Sequence, residues 1–374
     1  YLATGDMDWL QKAYDIIGRS LEADFVVVYN PQTGLFRGES SFIDWREQSY
    51  PVWAQPADIY MSECLGTNAA YYGVLKVMED MATILGKKKD VKKYGQKAEA
   101  LKKAINDNFW VEEDGYYASY LYGRQNLTRT QQSETLGESF CVLFGIADEE
   151  RAAKVISSMP VGEFGPPIFS PQIVSQPDYH NNGVWPYVTS FWGKAAAKVG
   201  NETALMHALA CNVRTASIYA TNYENYSFNT GNPYTTQINS PNMLWGLSGF
   251  MGLFHRTFFG LEFTKEGLAL KPFVPTVLAG TRKLEAFPYR GMKLDITVSG
   301  SGNEIASCLV DGKEAEAFIP ADWTGNHSIE IVMKGEHKPS SVNMVGYIGM
   351  PEVPVVKAEA GKLQWNAISG AAKY

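Results

Sequence analysis

The sequence predicts a mainly α fold, a toroid of helical hairpins followed by a small antiparallel β-sandwich. Three observations carry that expectation. Apolar residues recur at helical spacing in segment after segment from Asp6 to about Phe259; long aromatic, Gly-rich loops separate those segments; and after Gly260 the spacing changes to strict alternation.

Taken in order, the 3.6-residue period predicts helices over Asp8 to Leu21, Glu63 to Leu85, Val91 to Asn108, Ser133 to Phe144, Glu149 to Ser158, Val188 to Val199, Glu202 to Tyr219 and Asn242 to Phe258. Short strands are expected at Phe25 to Tyr29 and in a hairpin of Phe109 to Glu112 with Tyr116 to Leu121, turning at Glu113-Asp114-Gly115. Helix pairs with short turns on one side and long loops on the other describe a ring of αα-hairpins whose loops converge at one end. A complete (α/α)6 ring has twelve helices, and the pattern yields about eight. The ring is therefore expected to be incomplete, its N-terminal hairpins lying outside this chain or in another polypeptide.

Alternation after Gly260 marks strands at Gly267 to Phe273, Met292 to Val298, Ile305 to Val310 and His327 to Met333, the antiparallel β domain. The domain expectations are 1–260 for the helical ring, 261–335 for the β-sandwich and 336–352 for a polar linker. The last residues, 353–374, are something new: Pro354 to Asn366 with Gly370 to Tyr374 resembles the opening of a fibronectin type III module.

Composition narrows the function classes. A net charge of -7, from 33 basic and 40 acidic residues without long single-sign blocks, argues against a nucleic-acid backbone as partner. The one basic run, Lys87 to Lys93, reads as a solvated turn after a helix. No membrane-length apolar run or signal-peptide pattern is present, and the chain opens mid-stream at Tyr1, so its start carries no cellular address. Cys64, Cys141, Cys211 and Cys308 are scattered, which indicates neither a disulfide framework nor a zinc site; the first three read as buried thiols. The aromatic content of 13%, much of it beside Gly, Asn and Pro, suits sugar rings, which pair apolar C–H faces with hydroxyl rims.

Three loop segments carry the candidate chemistry. The first, Gly38 to Glu47, sets Asp44 and Glu47 beside Trp45 and Arg46; alone, it reads equally well as a turn capped by Asp44 and paired with Arg46. The second, Tyr223 to Gly231, places Glu224 between Tyr223 and Tyr226, surroundings too aromatic for a plain solvent loop. Between them, Asn181 to Tyr187 follows His180 and precedes a helix: Gly183 permits close backbone approach, Pro186 suits a first helical turn and Trp185 offers a stacking face. An aromatic plug closing the barrel floor is the rival reading of that segment. Glu134 and Glu138, at i and i+4, face one side of a helix start, where they complement the helix dipole or look into the barrel; Glu63 has the same position.

Together these segments resemble the helical-barrel inverting α-glycosidases of glycoside hydrolase family 63 and its glucoamylase-like relatives. There a Glu-Ser-Gly-Met-Asp-type loop carries the general acid, an Asn-Gly-x-Val-Trp-Pro-type segment lines the pocket, and a Glu-x-Tyr-x-x-x-Thr-Gly loop carries the general base. Glu39-Ser40 with Ile43-Asp44 matches the first, Asn182 to Pro186 the second, and Glu224 with Tyr226, Thr230 and Gly231 the third, in the same order along the chain.

The resemblance implies Asp44 as acid and Glu224 as base of an inverting, exo-acting α-glycosidase on an oligo- or polysaccharide. Glu47 and Glu134 stand in reserve. Trp45, Arg46, His180, Asn182, Trp185, Tyr187, Tyr223, Tyr226 and Trp245 are the substrate-binding candidates. It also implies a periplasmic or extracellular location. The mechanism requires no metal or cofactor, and no ligand set is evident; a structural calcium stays open. The chain departs from the family after the acid, where Trp45-Arg46-Glu47 replaces Asn-Ser-Pro-Arg. Two alternatives stay open: a toroidal polysaccharide lyase using Tyr179, His180 and Asn181, and a carbohydrate-binding protein without catalysis.

Overall fold

The computed structural model describes residues 1–39, 49–124, 126–174, 176–351 and 354–369. Among them lie nine helices, which give a helical content of 38%. They are α1 (Met7–Val27), α2 (Pro56–Met61), α3 (Leu65–Ile84), α4 (Lys88–Phe109), α5 (Thr135–Leu143), α6 (Glu149–Ser158), α7 (Pro186–Lys198), α8 (Glu202–Tyr219) and α9 (Leu244–Thr257).

Local sequence explains where they start. Asp6, Asp148 and Asn201 each accept a hydrogen bond from a backbone N–H in the first turn, capping α1, α6 and α8. Pro186 occupies the first turn of α7, where its missing N–H costs nothing. On α1, Leu10, Tyr14 and Leu21 share the buried stripe that the period required.

Three local expectations change. Phe25 to Val27 belong to α1 and not to a strand, and only Tyr29–Asn30 is extended, paired with Leu35–Phe36. The lysine run opens α4 instead of forming a turn, with Lys93 Nζ 3.1 Å from Glu22. The short helix α2 carries no buried residue and so left no apolar signal.

Helices α3, α5, α7 and α9 pack side by side in that order, α4 lies against α3, α6 against α5 and α8 against α7, and α1 touches α3. The apolar cluster they enclose runs on through Leu253, Phe258 and Leu261 into the sheets that follow.

There, Leu261–Phe263, Gly267–Leu270 and Phe318–Pro320 form a three-stranded antiparallel sheet. A five-stranded sheet takes the order Gly280–Tyr289, Met292–Gly300, Gly325–Lys334, Glu304–Val310, Lys313–Glu314. Met292–Gly300 and Gly325–Lys334 run parallel, so this sheet is mixed and not purely antiparallel as expected. Met292, Leu294, Ile296 and Val298 alternate inward, as do Ile329, Ile331 and Met333.

Residues 336–351 then return along the helices. Thr203 and Ser340 bond side chain to side chain, Asn201 donates to the Ser341 carbonyl, and Asn343–Met344 pairs in parallel with Pro160–Val161. A final hairpin of Val356–Glu359 and Lys362–Trp365 is exposed.

Candidate active site

Three neighbouring helices begin at the same end, each fed by a two-residue strand: Glu63–Cys64 into α3, Ser133–Glu134 into α5 and Gly183–Val184 into α7. These strands join in one ribbon of backbone pairs. Arg37 bridges Glu63, Glu63 and Cys64 pair with Leu121 and Tyr120, and Ser119 donates to Gln132. Glu134 pairs with Phe169, Ile168 donates to Gly183, and Val184 pairs with Tyr226. Residues from five distant segments thereby meet on one rim, where the backbone groups left over at helix starts find partners.

Gly183 has no freedom to be anything else: a Cβ there would stand 1.8 Å from the Tyr179 carbonyl oxygen. Gly137 holds α3 and α5 together in the same way, since its Cβ would meet Gly66 N and Glu134 Oε2 at 2.9 Å each.

The aromatic segment is a packed floor. His180 stacks on Trp185 at 5.1 Å between centroids, Trp185 donates from Nε1 to the Tyr179 carbonyl at 3.0 Å, and Trp245 meets Trp185 edge-on at 5.3 Å. Trp185 is 1% exposed, and His180, Asn182 and Tyr226 are also buried. Tyr187 and Trp245, stacked at 5.2 Å, keep partly exposed faces, as does Tyr223. Tyr226 accepts at its hydroxyl from the Tyr223 N–H, 3.2 Å. Glu224 is half-buried, its N–H bonded to the Ser240 carbonyl at 2.9 Å, so the loop backbone is fixed on both sides of the carboxylate.

Asp44, Trp45, Arg46 and Glu47 lie outside the described residues. Both flanks of their loop are anchored on the rim. Before it, the Glu39 carbonyl accepts from Thr67 Oγ1 at 2.5 Å and its carboxylate from Tyr50 at 3.3 Å. After it, Ser49 Oγ and His180 Nδ1 share a buried hydrogen bond of 2.6 Å.

Glu63, Glu134 and Glu138 are fully buried, so none is a solvated helix-start charge. Burial pushes the Glu63 carboxyl above its ordinary value, against Asn30 and Thr33, which donate to Oε1 at 2.6 and 2.8 Å. Glu138 is raised well above it by burial, with the Glu134 charge adding; the Tyr117 N–H at 2.8 Å offsets only part. The sequence carries a signal for Glu63 and Glu134 that spacing alone missed: Ser62-Glu-Cys-Leu-Gly66 and Ser133-Glu-Thr-Leu-Gly137 are one motif used twice, opening α3 and α5.

Residues 1–161 match the family model described as the bacterial alpha-L-rhamnosidase 6 hairpin glycosidase domain. The resemblance to six-hairpin glycosidases holds, with a rhamnosidase-type domain as the family description. Among curated proteins no sequence matches the chain. Of solved structures, a sialidase superposes with a TM-score of 0.67 at 16% identity over 84% of this chain and 31% of its own. A GH78 family rhamnosidase of Bacillus sp. GL1 does so with 0.54 at 18% identity, over 92% of this chain and 33% of its own. At such identities the likeness is one of fold, and the chain spans about a third of the length of both neighbours.

Proposed function

We propose that the chain carries the acid/base rim of a glycoside hydrolase that cleaves α-L-rhamnosides from the end of an oligo- or polysaccharide with inversion. The observation that carries the reading is the convergence of two motif loops on one aromatic floor. The Glu224 loop pairs with Gly183–Val184, and Ser49, which ends the Asp44 loop, bonds to His180. The rhamnoside substrate rests on the family description and the rhamnosidase neighbour.

In this mechanism protonated Asp44 delivers its proton to the glycosidic oxygen as the C–O bond breaks. Glu224 takes a proton from a water that attacks the anomeric carbon from the opposite face, a mechanism that requires a separation of roughly 6.5–9.5 Å between the acid and base carboxyl groups. Glu47 is the rival acid, and Glu134 the reserve. Tyr187, Trp245 and Tyr223 offer ring faces to the sugar, while Trp185 and His180 hold that surface rigid. Additional hairpins, from another segment or polypeptide, complete the ring beyond α9 and α1, and the two sheets form the appended sandwich; the enzyme works outside the cytoplasm.

Tyr179, His180 and Asn181 are all buried at 3% exposure or less, which gives the lyase reading no accessible base. The test is hydrolysis of a 4-nitrophenyl α-L-rhamnoside followed by proton NMR. Release of the β-anomer first supports inversion; the α-anomer first contradicts it, and no cleavage of any rhamnoside removes the substrate assignment.

A further inference from the structure

Outside the rim, a cleft of about 700 Å³ opens between the 110–117 hairpin and the returning segment 336–351. Val111, Glu113, Asp114 and Tyr116 form one wall, Thr128 to Gln131 another, and Ser170, Pro171 and Ile348 close the third side. Ile348 arrives from far along the sequence and is fixed there: Gln172 donates its N–H to the Ile348 carbonyl at 2.7 Å, and its Oε1 accepts from the Ile348 N–H at 3.0 Å. The cleft adjoins the rim, because Ser170, in its wall, pairs with Ser133 beside Glu134.

We propose that this cleft binds a neutral glycan chain, as an accessory subsite for sugar units remote from the bond being cleaved. Its size lies in the range of ligand sites, roughly 300–1,000 Å³. Its lining joins a half-buried aromatic ring, Tyr116, to hydroxyl, amide and carboxylate groups of Thr128, Gln131, Glu113 and Asp114, the mixture that an amphipathic sugar ring needs.

Burial, with Asp114 and Glu138 nearby, pushes the Tyr116 hydroxyl up to about 12, so it stays a neutral donor at working pH. Arg129 already donates Nη1 to the Trp110 carbonyl at 2.7 Å, and among the described residues neither Glu113 nor Asp114 has a cationic partner. Two carboxylates against one guanidinium leave the lining net negative, which favours a neutral glycan over a uronate chain.

The inference rests on the carbohydrate-active reading but not on which carboxylates cleave. The test is affinity electrophoresis of the whole protein through gels holding a rhamnan, an arabinogalactan or polygalacturonate, with 4-nitrophenyl α-L-rhamnoside turnover and thermal melting measured alongside. The expected result is retardation by a neutral polysaccharide, with Tyr116→Ala binding about ten-fold more weakly while aryl-rhamnoside turnover stays unchanged and a cooperative melt shows the variant folded. Gln131→Ala weakens retention in the same direction and serves if Tyr116→Ala does not fold. Retardation by polygalacturonate alone, unchanged retention of both variants, or no retention of a wild-type protein that cleaves the aryl glycoside overturns the subsite. Retention that depends on Tyr116 in a protein that cleaves nothing keeps the subsite and removes the hydrolase reading.

Discussion

At the scale of single residues, the rim holds carboxyls in contrasting surroundings. Glu224 sits half-buried among tyrosines, whereas Glu63 and Glu138 have no solvent access. Their raised values have a thermodynamic consequence. Below the ordinary value of 4.5 both folded and unfolded chains hold the proton. Above it the unfolded chain ionises while the folded chain retains the proton, so these groups destabilise the fold increasingly as pH rises toward their folded values. Glu138→Gln, measured by thermal melting, is therefore expected to melt closer to wild type, or above it, at pH 8 than at pH 5. A difference that widens as pH rises would show that Glu138 is ionised in the fold. The Glu63 carboxyl was legible only as a helix-start charge, because acids are common there for dipole reasons. Its role as a hydrogen-bonded hub for Asn30 and Thr33 depends on a segment that folds back from before the loop.

At the scale of elements, Gly183 and Asn201 each hold one junction. Gly183→Ala drives a methyl group into the Tyr179 carbonyl and parts the strand that carries the Glu224 loop. A loss of about 3 kcal/mol in stability is expected from denaturant melts, with activity falling further than the lost folded fraction explains. Asn201→Ala removes both the cap of α8 and the tether to Ser341. It should cost about 1–2 kcal/mol and expose residues 336–351 to limited proteolysis; unchanged digestion would show that the returning segment is held elsewhere. The long helices were legible because a 3.6-residue stripe survives whatever lies behind it. The run Phe25-Val-Val-Val-Tyr29 was not: β-branched residues favour a strand, yet α1 continues through Val26 and Val27, which are exposed. The two-residue strands of the rim are shorter than any period, and periodicity could not show them.

At the scale of the whole molecule, the row α3, α5, α7, α9 brings segments distant in sequence side by side. Of these, α3, α5 and α7 start at the strand ribbon, and their order along the chain is their order of packing. The change from helices to sheets near Gly260 was read from the sequence. The parallel pair in the larger sheet was not legible, since alternation records which face a residue takes but not which strand lies beside it.

Turnover of Glu224→Gln with an aryl α-L-rhamnoside, measured against wild type after both are shown to fold, tests the role of Glu224 most directly. Loss of the general base predicts a kcat lower by about 10²–10⁴-fold with little change in KM. A variant that turns over within a few-fold of wild type would contradict the assignment of Glu224, and with it the rim as the place where the bond is cleaved.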